Sequence, residues 1–108
     1  MTPSTGVSNQ SIRYTILVKG YVQRVSYRDI VEQIARIHHL TGYVQNLEGY
    51  DVGIVVEGSE PDLEQFARDI IITRKPIHVD SIDVHEDPAT GEYPYFKIKR
   101  GSPDEELG

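Results

Sequence analysis

The spacing of apolar residues changes near position 27, and that change limits what this chain can fold into. In "SIRYTILVK", residues 11–19, Ile12, Tyr14, Ile16 and Val18 fall on one side. Arg13, Thr15 and Lys19 fall on the other, which is the alternation of a half-buried strand. In "YRDIVEQIARIHHL", residues 27–40, Tyr27, Ile30, Val31, Ile34, Ala35 and His38 form one helical stripe instead. Ser26 precedes it as an N-cap, with Asp29 three residues on as a capping-box partner. "TGYVQNL" and "DVGIVVEG" then predict two strands, and the link "EGY" is short enough for a hairpin. Ser59 predicts a second capped helix, with Pro61 in its first turn and Asp62 at the box position. Its apolar stripe is Leu63, Phe66, Ala67, Ile70 and Ile71, and "RKP" at 74–76 ends it. Val79, Ile82 and Val84 predict a fourth strand, "DPATGEYP" a loop, and "YFKIK" a short final strand with Phe96 and Ile98 inward. Strand, helix, strand, strand, helix, strand is an order in which two helices can cover one face of a four-stranded antiparallel sheet. The expected class is α+β, a ferredoxin-like split βαβ sandwich. Many unrelated functions use that arrangement, so function has to be sought in a site.

Composition narrows the function classes. The 108 residues fit one domain and carry 11 basic and 17 acidic side chains, a net charge of −6. An acidic body argues against nucleic acid as a partner, because phosphate backbones are bound by positive surface. Tyr14 and Tyr43 on strands suggest an RNA-binding sheet, but the chain has no aromatic run of that type. No apolar run is long enough to span a bilayer, so no membrane is expected. With no cysteine there is no disulfide and no thiolate metal site, which fits a cytoplasmic location, and a monomer is expected. The four histidines show no ligand spacing. Residues 1–11 include Pro3 and Gly6, lack a secretory pattern and are expected to be a disordered arm. The sequon at Asn9 is then a coincidence. Residues 12–100 are the expected domain and 101–108 a disordered acidic tail.

The charge is unevenly placed. Residues 1–28 contain Arg13, Lys19, Arg24 and Arg28 and no acid at all. Two of these arginines lie in "GYVQRVSYR", residues 20–28, between the first strand and the first helix. With Ser26 as N-cap, Arg28 is the second helical residue, where unpaired backbone N–H groups and the helix dipole favour negative charge. A cation there is unfavourable unless an anion joins it. The bridge from Gly20 to Ser26 can also curl its N–H groups toward the same point. Those features would suit a phosphate. They equally describe a plain strand–helix loop with a surface arginine, since such short patterns are common. Gln23 either lines such a cradle or is a surface residue, and Tyr27 is expected in the core.

"VKGYVQRVSYR" resembles the signature of the acylphosphatase family, G-x-V-Q-G-V-x-F/Y-R, through Gly20, Val22, Gln23, Val25, Tyr27 and Arg28. "HHLTGYVQN" is similar to the second family pattern, G-L-x-G-x-V-x-N, through Leu40, Gly42, Val44 and Asn46. The separation of Arg28 from Asn46, the strand end "VEG" and the F-x-I near the C-terminus fit as well, over roughly residues 12–99. The resemblance implies the fold read above from periodicity. It also implies hydrolysis of the carboxyl-phosphate bond of small acyl phosphates, releasing a carboxylate and inorganic phosphate. Arg28 would bind phosphoryl oxygens, with the backbone of Tyr21, Val22, Gln23, Arg24, Val25 and Ser26 completing a phosphate cradle. Asn46 would orient the attacking water. No metal or cofactor is implied, and the substrate's own phosphate would assist in place of a dedicated base. The alternative is a module that binds phosphate or an acyl phosphate without turning it over. Arg24 stands where the family has its second glycine. Either the loop keeps its shape with Arg24 toward solvent, or the cradle is altered. His39 replaces a glycine suited to a left-handed helix end.

Overall fold

Alternation along the first strand places Tyr14, Ile16 and Val18 in the interior, and the rest of the sheet assembles around that row. The structure, a computed structural model, describes residues 11–100. Its elements are β1 (Ile12–Tyr21), α1 (Tyr27–Ile37), β2 (Thr41–Asn46), β3 (Val52–Gly58), α2 (Glu60–Asp69), β4 (His78–Pro88) and β5 (Phe96–Ile98). The expected disordered arm, apart from Ser11, and the acidic tail lie outside the described residues. Among the described residues no helix is long and apolar enough to cross a membrane.

The sheet runs β4-β1-β3-β2-β5. Both helices cover the same face: α1 lies against β2 and β5, and α2 against β3. Tyr27, Val31 and Ala35 of α1, and Leu63 and Phe66 of α2, meet Ile16, Val44, Ile54, Val56 and Phe96 in one core. Each fully buried large side chain of this kind contributes about 1.5–3 kcal/mol. The Tyr27 hydroxyl donates to the Ile70 carbonyl at 2.8 Å, which ties the start of α1 to the end of α2.

The predicted class holds, and four details differ. The sheet is mixed rather than a four-stranded antiparallel sheet with an appendage, because β5 pairs with β2 in parallel, Gly42 opposite Phe96 and Val44 opposite Ile98. That pairing is what seats Phe96 beside Phe66 in the core, ring centroids 6.4 Å apart. Helix α2 stops at Asp69, before "RKP", and leaves Ile71 exposed. The β-branched run Ile70, Ile71, Ile72, Thr73 disfavours helix, and Ile72 instead accepts from the Val79 N–H at 2.8 Å. Helix α1 ends at Ile37, where His39 adopts φ 58° and the Leu40 N–H closes on the Ala35 carbonyl. Ser26 occupies the N-cap position of α1 at φ 65°, and its side chain makes no capping bond. A side-chain cap needs an extended backbone at that residue, and the loop before α1 turns left-handed there. Ser59 does cap α2: its φ is −73° and its oxygen accepts from the Asp62 N–H at 3.4 Å.

Spacing along β4 also has a local cause. Val79 and Ile82 are three apart yet share a face because the β1–β4 register shifts between Lys19 and Gly20. Gly20 sits in that shift at φ 141°, and a Cβ there would collide with the His78 carbonyl oxygen. The shift bends β1 just before the loop of residues 22–26.

Candidate active site

Strands β1 and β2 each pair antiparallel with β3, and β5 runs parallel to β2. Their C-terminal ends therefore meet at one edge of the sheet. The chain leaves β1 there, passes through residues 22–26 and enters α1, so the N-terminus of α1 opens at the same edge.

Residues 22–26 are held from below. Val22 is buried in the core. Gln23 is also buried, and its Nε2 donates to the carbonyls of Leu47 at 3.0 Å and Asp51 at 2.7 Å. It is not a surface residue: its side chain fastens the loop to the β2–β3 hairpin. Arg24 at φ 64° and Ser26 at φ 65° are both left-handed, with Val25 between them. Left-handed residues in alternation turn backbone N–H groups toward a common concavity, a geometry suited to anions. Arg24 keeps this turn without glycine and projects to solvent.

Arg28 is the second residue of α1 and half-buried. It lines a cavity of about 250 Å3 together with Val22, Arg24, Ser26, Asp29 and Arg100. Val25 packs against the core instead. Tyr21 is 61% exposed and, with Gln23, Tyr50 and Arg24, faces a separate cleft of about 770 Å3 on the hairpin side of the loop. Val22, Arg24, Ser26 and Arg28 of the predicted set thus share one cavity, whereas Tyr21 and Gln23 border the other.

Asn46 ends β2, paired with Val52, and is buried. Its Oδ1 has no hydrogen-bond partner among the described residues. Leu47, the next residue, is the one Gln23 holds, so Asn46 is fixed beside the loop. Arg100 is a cation the sequence reading did not single out. The Lys99 N–H donates to the Val44 carbonyl at 2.8 Å, so the chain leaving β5 tracks the end of β2 and delivers Arg100 to the Arg28 cavity. The basic run Lys97, Lys99, Arg100 is visible in sequence, but its direction follows only from the parallel pairing.

Arg13, the remaining arginine of the basic N-terminal stretch, belongs to another cluster. Its Nε donates to Glu57 Oε2 at 2.8 Å, and Glu57 also accepts from the N–H groups of Thr90 and Gly91. Among the described residues no three His, Cys, Asp or Glu side chains gather as a metal set. His38, His78 and His85 each stand 3.1–3.3 Å from an aspartate: Asp69, Asp80 and Asp87 respectively.

Comparison with known proteins bears on the domain as a whole. The profile of the Acylphosphatase family matches residues 14–98. An acylphosphatase of Methanospirillum hungatei JF-1 is 39% identical over 89 residues, covering 82% of this chain and 97% of that protein. A probable carbamoyltransferase HypF of Methanocaldococcus jannaschii is 35% identical over 100 residues, which is 90% of this chain but 13% of that protein. Among solved structures, an acylphosphatase from Bacillus subtilis superposes with a TM-score of 0.78 at 31% identity, covering 82% of this chain and 98% of its own. Full-length HypF in a phosphate- and nucleotide-bound form gives 0.77 at 37% identity over 87% of this chain and 12% of its own.

Proposed function

The chain belongs to the acylphosphatase family, and from that premise we propose that it hydrolyses the carboxyl-phosphate bond of small acyl phosphates, releasing a carboxylate and inorganic phosphate. The observation that carries this reading is the buried Asn46 Oδ1 at the end of β2. Leaving such an acceptor unmet costs about 1–3 kcal/mol. A water donating to it meets that need and keeps its own lone pairs directed outward, where they can reach phosphorus.

The remaining roles follow from position. A guanidinium is planar and can hold two phosphoryl oxygens at once, the part assigned to Arg28. Backbone N–H groups of residues 22–26 and of the first turn of α1 take the third oxygen. The transferred group is then charge-neutralised and oriented, which is most of what phosphoryl transfer requires. The water oxygen bonds to phosphorus as the bond from phosphorus to the carboxyl oxygen breaks. That electron pair leaves on the carboxylate, a weak base that departs unprotonated at neutral pH. The water proton passes to a phosphoryl oxygen, so no titrating side chain is called for. We further propose a cytoplasmic monomer that acts without metal, nucleic acid or membrane; the acidic body disfavours nucleic acid, and the lack of cysteine fits the cytoplasm.

The test is turnover of acetyl phosphate in the presence of chelator, in the wild type and in Asn46→Ala. Loss of a contact made mainly in the transition state lowers kcat by about 10²–10³, while competitive inhibition by inorganic phosphate persists. Phosphate binding without turnover in the wild type would favour a non-catalytic binding module. An Asn46→Ala variant altered only in KM would remove the water-orienting role.

A further inference from the structure

The cleft of about 770 Å3 beside the loop is bordered by Tyr21, from the end of β1, and by Tyr50, from the β2–β3 hairpin. Tyr21 is 61% exposed and Tyr50 79%, so each leaves much of its ring in water. The space between them is fixed by the fold. Gln23 Nε2, bonded to the Leu47 and Asp51 carbonyls at 3.0 and 2.7 Å, sets the separation of loop and hairpin. Gly20 and Gly49 add no side chain to fill it, and a Cβ on Gly49 would meet no atom within 4 Å. Among the described residues that line the cleft none is a carboxylate, and Arg24 is the only charged one. A cavity of this size is that of a small-molecule site. Val22 and Arg24 border both the cleft and the Arg28 cavity, so the two spaces adjoin along the loop. We propose that Tyr21 and Tyr50 form the acyl-group subsite, and that the preferred substrates are acyl phosphates whose acyl group carries an aromatic ring on a short spacer.

The inference rests on the hydrolytic reading above, with the phosphoryl group in the cradle of Arg28 and residues 22–26. Attacking and leaving oxygens lie roughly in line across phosphorus. Water held by the buried Asn46 therefore sends the acyl group outward, toward solvent. From there the cleft lies just across residues 22–24. A ring bonded directly to the carbonyl stays over the loop, whereas a short spacer carries it across to the two tyrosines. Ring faces and edges then meet in offset or T-shaped contact, and apolar surface on both partners leaves water. A methyl group at the same place gains little of either.

Two measurements separate this proposal from the one beneath it. The first is binding, by calorimetry, of 4-phenylbutylphosphonate and butylphosphonate, which differ only in the ring. The former sets as many atoms between ring and phosphorus as 3-phenylpropanoyl phosphate does. The wild type is expected to bind the phenyl compound about tenfold more tightly. The advantage falls about threefold in Tyr21→Ala and in Tyr50→Ala, and is kept in Tyr21→Phe and Tyr50→Phe, because the ring rather than the hydroxyl makes the contact. It persists at high ionic strength, because no charge takes part. The second is the ratio of kcat/KM for 3-phenylpropanoyl phosphate over propanoyl phosphate, which should fall by the same factors in the same variants. Equal binding of the two phosphonates by the wild type, an advantage unchanged in either alanine variant, or one that vanishes at high salt overturns the subsite. Turnover of both acyl phosphates with equal kcat/KM removes the subsite and leaves the hydrolytic reading standing. If the phosphonates discriminate as expected and no acyl phosphate is turned over, the ring subsite stands and the hydrolytic reading fails.

Discussion

Arg24 shows how one backbone angle can be separated from the side chain that adopts it. The loop already follows a left-handed turn at residue 24, so the cradle does not need glycine to take its shape. Glycine would nonetheless hold that turn with less strain. Arg24→Gly is therefore expected to raise stability by about 0.5–1 kcal/mol, the left-handed strain less the added entropy of an unfolded glycine. Arg24→Ala keeps the strain and should bring no such gain. Paired urea denaturation curves decide it, and an Arg24→Gly midpoint at or below wild type would show that the turn carries no strain. His39, at φ 58°, occupies a similar conformation at the end of α1, and nothing in the structure gives its side chain a task there. Ser26 teaches the complementary lesson. A serine followed by an acid at the third position predicts a capping box, but its left-handed backbone turns the side chain away from that bond. The local pattern was legible; the angle imposed by the neighbouring turn was not.

Between elements, two buried polar side chains connect segments far apart in sequence. Gln23 spans from the loop after β1 to the β2–β3 hairpin through two carbonyls. Gln23→Leu removes the side-chain donor from both carbonyls in a part-buried setting, and although Asp51 keeps the Leu47 N–H, the tie between loop and hairpin is lost. The expected loss is about 1–3 kcal/mol of stability, together with a lower kcat, because Asn46 sits next to one of the anchored residues. A variant destabilised this far with kcat unchanged would show that the anchor does not position Asn46. Glu57 does the corresponding work at the opposite end of β1, drawing the segment around Thr90 onto the helix-free face of the sheet. Burial pushes its carboxyl upward, but the N–H groups of Thr90 and Gly91, the Arg13 guanidinium and the Thr90 hydroxyl outweigh burial and hold it below the usual range. A carboxyl depressed in the folded state stabilises the fold above its unfolded value, about 4.3 for glutamate. That contribution disappears as pH falls through the folded value. Wild-type stability should therefore decline below about pH 4 more steeply than that of Glu57→Gln. Parallel slopes for the two proteins between pH 5 and 3, measured by denaturant titration, would remove the clamp from the account.

At the scale of the molecule, an acidic body carries one basic edge where three strand ends and one helix start converge. An anion held there stabilises the folded state by mass action. Inorganic phosphate at about 100 times its Kd should add roughly 2.7 kcal/mol. Thermal unfolding with and without phosphate measures this, and Arg28→Ala should abolish the shift; a shift that survives would place phosphate elsewhere. What the sequence determined by itself is whatever depends on neighbours within a turn or along a strand. The period-two rows of β1 and β3, the helical stripes that bury Val31, Ala35, Leu63 and Phe66, and the Ser59 cap all rest on such contacts. The roles proposed for Arg28 and Asn46 come from the sequence as well, through a resemblance carried by short motifs. Tertiary structure alone decided which strand edge β5 would take, and with it the seating of Phe96 and the arrival of Arg100 at the Arg28 cavity. It alone turned Gln23 toward Leu47 and Asp51 and drew Glu57, Arg13 and Thr90 together. Those pairings join residues 24 to 77 positions apart. No local periodicity encodes them, because which edge is open and which polar group is left to satisfy is settled only once the core has closed.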